Sequence, residues 1–336
     1  MTTRSVFPSN IFGETCKPGT CRLDTVVNLL DSMRYLVALA QHRHFGRAAS
    51  ACHITQPALS NALRALEADL GVAIVRRGRT YAGLTPEGER VLDSANRMLH
   101  EQELLHQDLH STAAVPRGTL SIGAVPTTIP VAACFVAQLQ ARYPGIKPVL
   151  RSLSSPEIES GIEGLSLDLG LGYTERGAKF KAVPQYVEQY FLLRRSPDSQ
   201  ARPLQFGGTV SWSDAAKLPL CLLTPEMHNR SIVDGAFEVA GVAVQPAIET
   251  NSIVSIVLGV LDGQVSAIVP GALMALVRGY SGLEALPLRD PDVRTPIGFM
   301  HAAGARPSRV LEAALTLAQD EVWLRRAATQ GGLLSL

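Results

Sequence analysis

Four polar side chains, Gln56, Ser60, Asn61 and Arg64, share one face of a segment whose other face is apolar. Ala58, Leu59, Ala62, Leu63 and Leu66 recur there at helical spacing. Amide, hydroxyl and guanidinium groups of this kind hydrogen-bond base edges and phosphates. The hydroxyl of Thr55 can cap the helix, and Pro57 falls in its first turn, where a missing N–H is tolerated. Upstream, Gly46 as N-cap and residues 47–52 make a shorter helix, in which Ala48 and Ala49 are small enough for close approach. Two helices joined by a tight turn, the second polar on its outer side, form a helix-turn-helix pattern. A plain helical hairpin with a solvated face has the same spacing, so the next residues decide. Residues 73–75 read as a short strand, Arg76-Arg77-Gly78-Arg79 as a basic turn, and Leu84-Thr85-Pro86-Glu87 as a return and a helix start. That is a wing. Its Arg76, Arg77 and Arg79 would contact phosphates, an interaction that weakens steeply with salt.

The helix that starts there has Thr85 as N-cap, with Glu87 and Glu89 at the positive end of its dipole. It should run without Gly or Pro over 89–115. Val91, Ala95, Met98, Gln102, Leu105 and Leu109 alternate spacings of four and three, a coiled-coil stripe in which one polar residue can fix register. Pro116-Arg117-Gly118 ends it.

The run from Arg34-Tyr35 to Gly88 closely resembles the N-terminal domain of LysR-type transcriptional regulators. The resemblance is carried by RYLVALAQHRHFGRAASACHITQPALSNALRALEADLGV and the later LTPEG. Three departures stand out: Gly46 where the family has Thr or Ser, Asn61 where it often has Arg, and Arg76-Arg77 in place of Phe-Glu-Arg. The resemblance implies an activator that binds double-stranded promoter DNA, dimerises through the linker helix, assembles into a homotetramer and works with RNA polymerase. It resembles in particular regulators of one-carbon anion metabolism, such as formate or cyanate.

Composition is compatible with this. The chain has 336 residues, enough for about two domains, with 46% hydrophobic and 18% charged residues. Net charge is only +1, so DNA binding needs a local patch. Between residues 31 and 90 there are eight arginines (34, 43, 47, 64, 76, 77, 79, 90) against five acids (31, 67, 69, 87, 89). No run approaches a membrane span, and 1–17 lacks the apolar core of a signal peptide, so a cytoplasmic location without membrane contact is expected. The five cysteines then read as free thiols. Cys16 and Cys21 form a lone pair with no second pair or His nearby, so neither a metal nor a cofactor is expected, and 1–27 reads as a disordered tail.

Beyond Gly118 short apolar runs alternate with helices. Strands are expected at 120–125, 147–152, 167–172, 218–223, 247–249, 266–269 and 296–302. Helices are expected at 130–143, 157–163, 231–240, 253–261 and, last, 308–328. This is an α/β pattern with a parallel sheet. Its two βαβ halves, with crossings near 189–194 and 289–296, resemble the periplasmic-binding-protein-like sensor domain of the same family. The expected architecture is therefore a winged helix-turn-helix over 28–85, a linker helix over 86–115, and a two-lobed α/β effector domain over 119–328.

Ligands bind in such folds beyond the strand C-termini. Pro126, Thr127 and Thr128 follow the first strand, and Ser154 and Ser155 the second. Thr224, Met227 and Arg230 follow a strand of the other half, and Asn251 precedes a helix. Hydroxyls at helix N-termini hold anions because free N–H groups and the helix dipole point at the ligand. The same groups are ordinary caps elsewhere; as a set they favour a small-molecule effector, an anion such as a carboxylate. Cys134, on the first effector-domain helix, leaves open a redox sensor, although a buried apolar thiol is the commoner state. No catalytic constellation appears: Gly170-Leu171-Gly172 lacks the third Gly of a dinucleotide turn. A ligand-processing enzyme with a DNA-binding arm is the alternative from another class, and an exported solute-binding protein a third.

Overall fold

The structure, a computed structural model, describes residues 28–76, 78, 81–110, 115–176, 180–197, 203–304 and 306–330. The tail at 1–27 with Cys16 and Cys21, and the wing residues Arg77 and Arg79, lie outside them. The chain divides into two compact units, Met1–Ala95 and Asn96–Leu336.

In the first unit, α1 (Leu29–His42), α2 (Phe45–Ala51) and α3 (Gln56–Leu70) enclose a small core. Leu36, Leu39, Ala48, Leu59 and Leu66 are all fully buried there. The cap of α2 differs from expectation. His44, not Gly46, precedes it, and its Nδ1 accepts from the backbone N–H groups of Gly46 (3.1 Å) and Arg47 (3.3 Å). An imidazole nitrogen can cap as a hydroxyl does, which displaces Gly46 into the first turn. Thr55 caps α3 as expected, its Oγ1 accepting from Ala58 N at 3.4 Å, and Gly71 closes the helix in the left-handed conformation.

The wing is a minimal antiparallel pair with a bridge between Val75 and Leu84. Arg76 N donates to Gly83 O, and Thr85 N to Ile74 O. Glu67 Oε1 anchors it to α3 by accepting from Ile74 N (2.8 Å) and Val75 N (3.0 Å). Helix α4 (Pro86–His110) follows, with Thr85 Oγ1 accepting from Gly88 N at 2.9 Å.

The second unit contains β1 (Gly118–Ala124), α5 (Ile129–Arg142), β2 (Ile146–Ser152), α6 (Ser155–Glu163), β3 (Leu169–Tyr173), β4 (Phe180–Glu188) and β5 (Tyr190–Arg195). Then come β6 (Gln205–Phe206), β7 (Val210–Ser211), α7 (Trp212–Ala215), β8 (Leu220–Leu223), α8 (His228–Val239), β9 (Ile248–Thr250) and α9 (Ile253–Asp262). The chain continues with β10 (Ser266–Pro270), α10 (Met274–Val277), β11 (Leu283–Arg289), β12 (Thr295–Ala302), α11 (Arg309–Ala318) and α12 (Glu321–Gln330). One sheet has the order β2-β1-β3-β12-β4; the other runs β6-β11-β5-β10-β8-β9, with β7 beside β11.

Both sheets are mixed rather than parallel. The βαβ strands pair in parallel, but β12 runs antiparallel to β3 and β4, and β5 antiparallel to β10 and β11. The cause is the crossing. Strands β4 and β5 are one extended run that changes sheet at Gln189, and 290–294 carries the chain back. The last helix is also broken. Asp320 Oδ1 accepts from Val322 N and Trp323 N and starts α12, while Ala318 O is taken by Gln185 Nε2. An Asp offering its own side chain to the backbone competes with helix continuation.

The first lobe's core centres on Phe135, which meets Phe299 at 4.5 Å and Trp323 at 5.0 Å between ring centroids. In the second lobe, Trp212 packs on Phe237 at 5.1 Å and donates from Nε1 to Pro291 O in the return crossing at 2.9 Å. No helix among the described residues is long and apolar enough to cross a membrane.

Candidate nucleic-acid interface and ligand cleft

Helix α3 presents the chemistry expected of a reading helix. Leu59, Leu63 and Leu66 face the core, while Gln56, Pro57, Asn61 and Arg64 are exposed and Ser60 is half-buried. Thr55 stands exposed at the cap. Ala58, expected on the apolar face, is exposed in the first turn. Arg64 reaches across one turn to Asn61 Oδ1 at 3.5 Å. A groove of about 490 Å³ runs between α3 and the wing, lined in part by Ser60, Arg64, Val75 and Arg76. Arg76 is exposed at its edge. Cationic and hydroxyl groups lining a groove, with the Gln56 and Asn61 amides on an exposed helix face, match one side of a duplex.

Arg64→Ala should lower affinity for a specific duplex about ten- to a hundredfold, the range for losing a good base or phosphate contact. Its side chain lies outside the α3 core, so the thermal midpoint should not move. Fluorescence anisotropy with labelled duplex, alongside a melting curve, reads both.

In the second unit a small cleft opens where the two sheets face each other. Its lining is Val125, Pro126, Thr127, Ser154, Ser155, Tyr173, Leu223, Met227, His228 and Asn229. The loops that enter α5, α6 and α8 therefore converge on it. The cavity is about 10 Å³, room for about one water. Pro126, Thr127, Ser154, Ser155 and Met227 are brought together here. Thr128, Thr224, Arg230 and Asn251 are not among the lining residues.

Each of the four has a structural account. Thr128 is buried, its hydroxyl donating to Val125 O at 3.0 Å. Thr224 Oγ1 donates to Glu226 Oε1 at 2.6 Å, and Asn251 is exposed ahead of α9. Arg230 lines a different groove and is held by Asp234, Glu249 and Leu223 O at 2.6–2.7 Å.

Within the lining, the Ser154 hydroxyl and backbone N–H both donate to Glu157 Oε2, a capping box. Ser155 differs: its Oγ is buried and has no hydrogen-bond partner. No lysine, arginine or cysteine lines the cleft among the described residues. Cys134 is half-buried against the first lobe's core, and Cys221 is buried in the second.

Behind the lining lies a polar layer that sequence reasoning missed. Tyr173 OH lies 3.3 Å from Thr127 Oγ1 and accepts from Asn229 Nδ2 at 3.3 Å, and the same amide donates to Tyr190 OH at 3.2 Å. The His228 ring stands edge-on to Tyr173 at 4.6 Å. Deeper still, at the end of β4, Glu188 is fully buried. Neither of its oxygens makes a hydrogen bond of ordinary geometry; only the Ala272 N–H offers partial support. Burial pushes its carboxyl from the ordinary 4.5 up to about 8, with that N–H pulling slightly the other way. Burial, and then Glu188, raise the phenols of Tyr173 and Tyr186. Burial, then Tyr173 and Glu188, do the same to Tyr190.

Residues 30–89 match the family described as bacterial regulatory helix-turn-helix protein, lysR family, and residues 113–323 match the LysR substrate binding domain. The DNA-binding transcriptional dual regulator OxyR of Escherichia coli (strain K12) is 27% identical over 281 residues, covering 83% of this chain and 90% of that protein. The SDS degradation transcriptional activation protein of a Pseudomonas species is 37% identical over 125 residues, 37% of this chain and 40% of that one. Among solved structures, a full-length OxyR variant from Pseudomonas aeruginosa is similar with a TM-score of 0.65 at 23% identity, over 88% of this chain and 94% of that one. CbnR complexed with its target DNA is similar with a TM-score of 0.61 at 22% identity, over 89% and 99%. At these identities the two structures speak for the fold.

Proposed function

We propose, from the premise that this chain belongs to the LysR family of bacterial DNA-binding transcriptional regulators, that its effector is a small anion held in the cleft between the two sheets. The carrying observation is the Ser155 hydroxyl, buried in the lining with no protein partner. A buried hydroxyl without a partner costs stability unless a ligand satisfies it. Around it, the entries to α5, α6 and α8 turn the positive ends of helix dipoles inward. A site made of hydroxyls and helix ends, with His228 its only basic side chain among the described residues, suits a small singly charged anion such as formate or another small carboxylate. In this arrangement the cleft holds about one water, so the lobes must part slightly to admit even a small anion.

Gln56, Ser60, Asn61, Arg64 and the wing arginines read promoter DNA. Met98, Leu105 and Leu109 are 44–69% exposed along α4, spaced for a partner helix. Dimerisation through this stripe would set two reading helices about one DNA turn, or a multiple of it, apart. A tetramer assembled from such pairs would bend the promoter. Ligand-dependent change in that bend would then recruit RNA polymerase. The effector acts by binding one arrangement of the lobes better than the other. Promoter DNA places this work in the cytoplasm.

A panel of formate, cyanate, acetate and aromatic carboxylates, read by thermal shift, tests the effector assignment. A ligand of the folded state raises the midpoint. Ser155→Ala should leave the unliganded midpoint unchanged or slightly higher, since it removes a buried hydroxyl that holds nothing in the protein. It should weaken the anion about tenfold or more, the range for a hydrogen bond to a charged group. Thr127→Val should weaken it as well. Unchanged anion affinity in both variants would refute this cleft as the site.

A further inference from the structure

We infer that Glu188 is a positioning residue that sets the charge the cleft accepts: its carboxyl must hold a proton while an anion is bound. The inference rests on the anion reading of the cleft. Three observations carry it. Glu188 is fully buried and only the Ala272 N–H offers its carboxyl partial support, so little in the protein compensates a charge there. It sits where the chain changes sheet, one residue before Gln189. It also lies behind the very groups that line the cleft. Tyr173 faces it from β3, Tyr186 from β4 and Tyr190 from β5. Tyr173 and Tyr190 are in turn tied through Asn229 to the cleft wall.

Among the described residues, the groups facing Glu188 include no cation. Its neighbours are the three phenols, the Ala272 backbone N–H and its ladder partner Thr295 on β12. On α8, His228 stands one ring further out, against Tyr173. An anion in the cleft and an ionised Glu188 are therefore two like charges separated by little more than a tyrosine, in a region with little water to screen them. Binding the anion draws one proton from solvent onto a Glu188 oxygen whenever that group begins ionised. Conversely, ionisation of Glu188 expels the anion. The phenols stay protonated throughout, because burial raises all three.

The test is formate binding by the full-length protein at constant ionic strength, from about pH 7.5 to about pH 9.5, above the ordinary histidine range. In the wild type, affinity should fall with rising pH. The slope approaches tenfold per unit above about 8, and the total loss is on the order of tenfold. Glu188→Gln, permanently neutral, should bind with nearly constant affinity, close to that of the wild type at the low end. Wild-type calorimetry in two buffers of different ionisation enthalpy needs no variant: it should show proton uptake on binding that grows with pH. Parallel pH profiles in the two proteins, or binding without proton uptake, would overturn the role of Glu188 and leave the anion site standing. No binding of formate, cyanate or acetate at any pH would overturn both.

Discussion

Glu188→Gln is expected to stabilise the protein above neutral pH and to leave it nearly unchanged at about pH 4. The carboxyl is raised on folding, so the folded state holds a proton that the unfolded chain releases. Stability from this group is complete below the unfolded value of 4.5 and drains away as pH rises toward the folded value of about 8. The gap is about 3.5 pH units, and at about 1.4 kcal/mol each the wild type forfeits on the order of 4–5 kcal/mol by pH 8. Glutamine has nearly the same shape and carries no charge, so it avoids that loss. Chemical denaturation of both proteins across the window measures the difference. Two parallel stability curves would show that Glu188 finds a partner in solution that compensates its charge.

Gly88→Val is the substitution expected to damage DNA binding most from a distance. A Cβ at this position would stand 2.1 Å from Ile74 O and 2.9 Å from Ile74 C, both backbone atoms. The first turn of α4 must then retreat from the wing strand, breaking the Thr85 N to Ile74 O bond and the Thr85 cap. Overpacking against backbone costs about 1–3 kcal/mol or more. The wing carrying Arg76 moves with it, so duplex affinity and thermal midpoint should fall together. Gly235 on α8 is the control. A Cβ there meets nothing within 4 Å, and Gly235→Ala should be neutral or add up to about 1 kcal/mol through helix propensity. A Gly88 variant that melts and binds like the wild type would mean that helix and wing are not locked as described.

The DNA-reading unit was legible because its signals are local. The Thr55 cap, Pro57 in the first turn, the Leu59-Leu63-Leu66 spacing and the Thr85-Pro86 start each act over a few residues. The effector unit was legible as alternating strands and helices, and five of the nine candidate ligand residues meet at one cleft. What escaped was long-range. Strand β4 contains Pro184, Gln185 and Glu188, and no periodicity marks a strand whose buried face carries a carboxyl. The tyrosine layer depends on β3, β5 and α8 meeting in space. Arg230 was misleading for a local reason that could have been seen: Asp234 lies four residues on, the spacing of a helical ion pair. His44 was the opposite case, an unusual cap hidden behind a more usual glycine.

The most direct measurement is affinity for a duplex selected from a random pool, taken with and without the anion that raises the thermal midpoint. Selection should enrich a partly palindromic sequence, bound at least about a thousandfold tighter than unrelated DNA. The anion should change that affinity or the length of DNA protected, in the wild type and not in Ser155→Ala. Enrichment of no sequence, or binding to the selected duplex that ignores the anion in both proteins, would contradict the reading of this chain as an anion-controlled regulator.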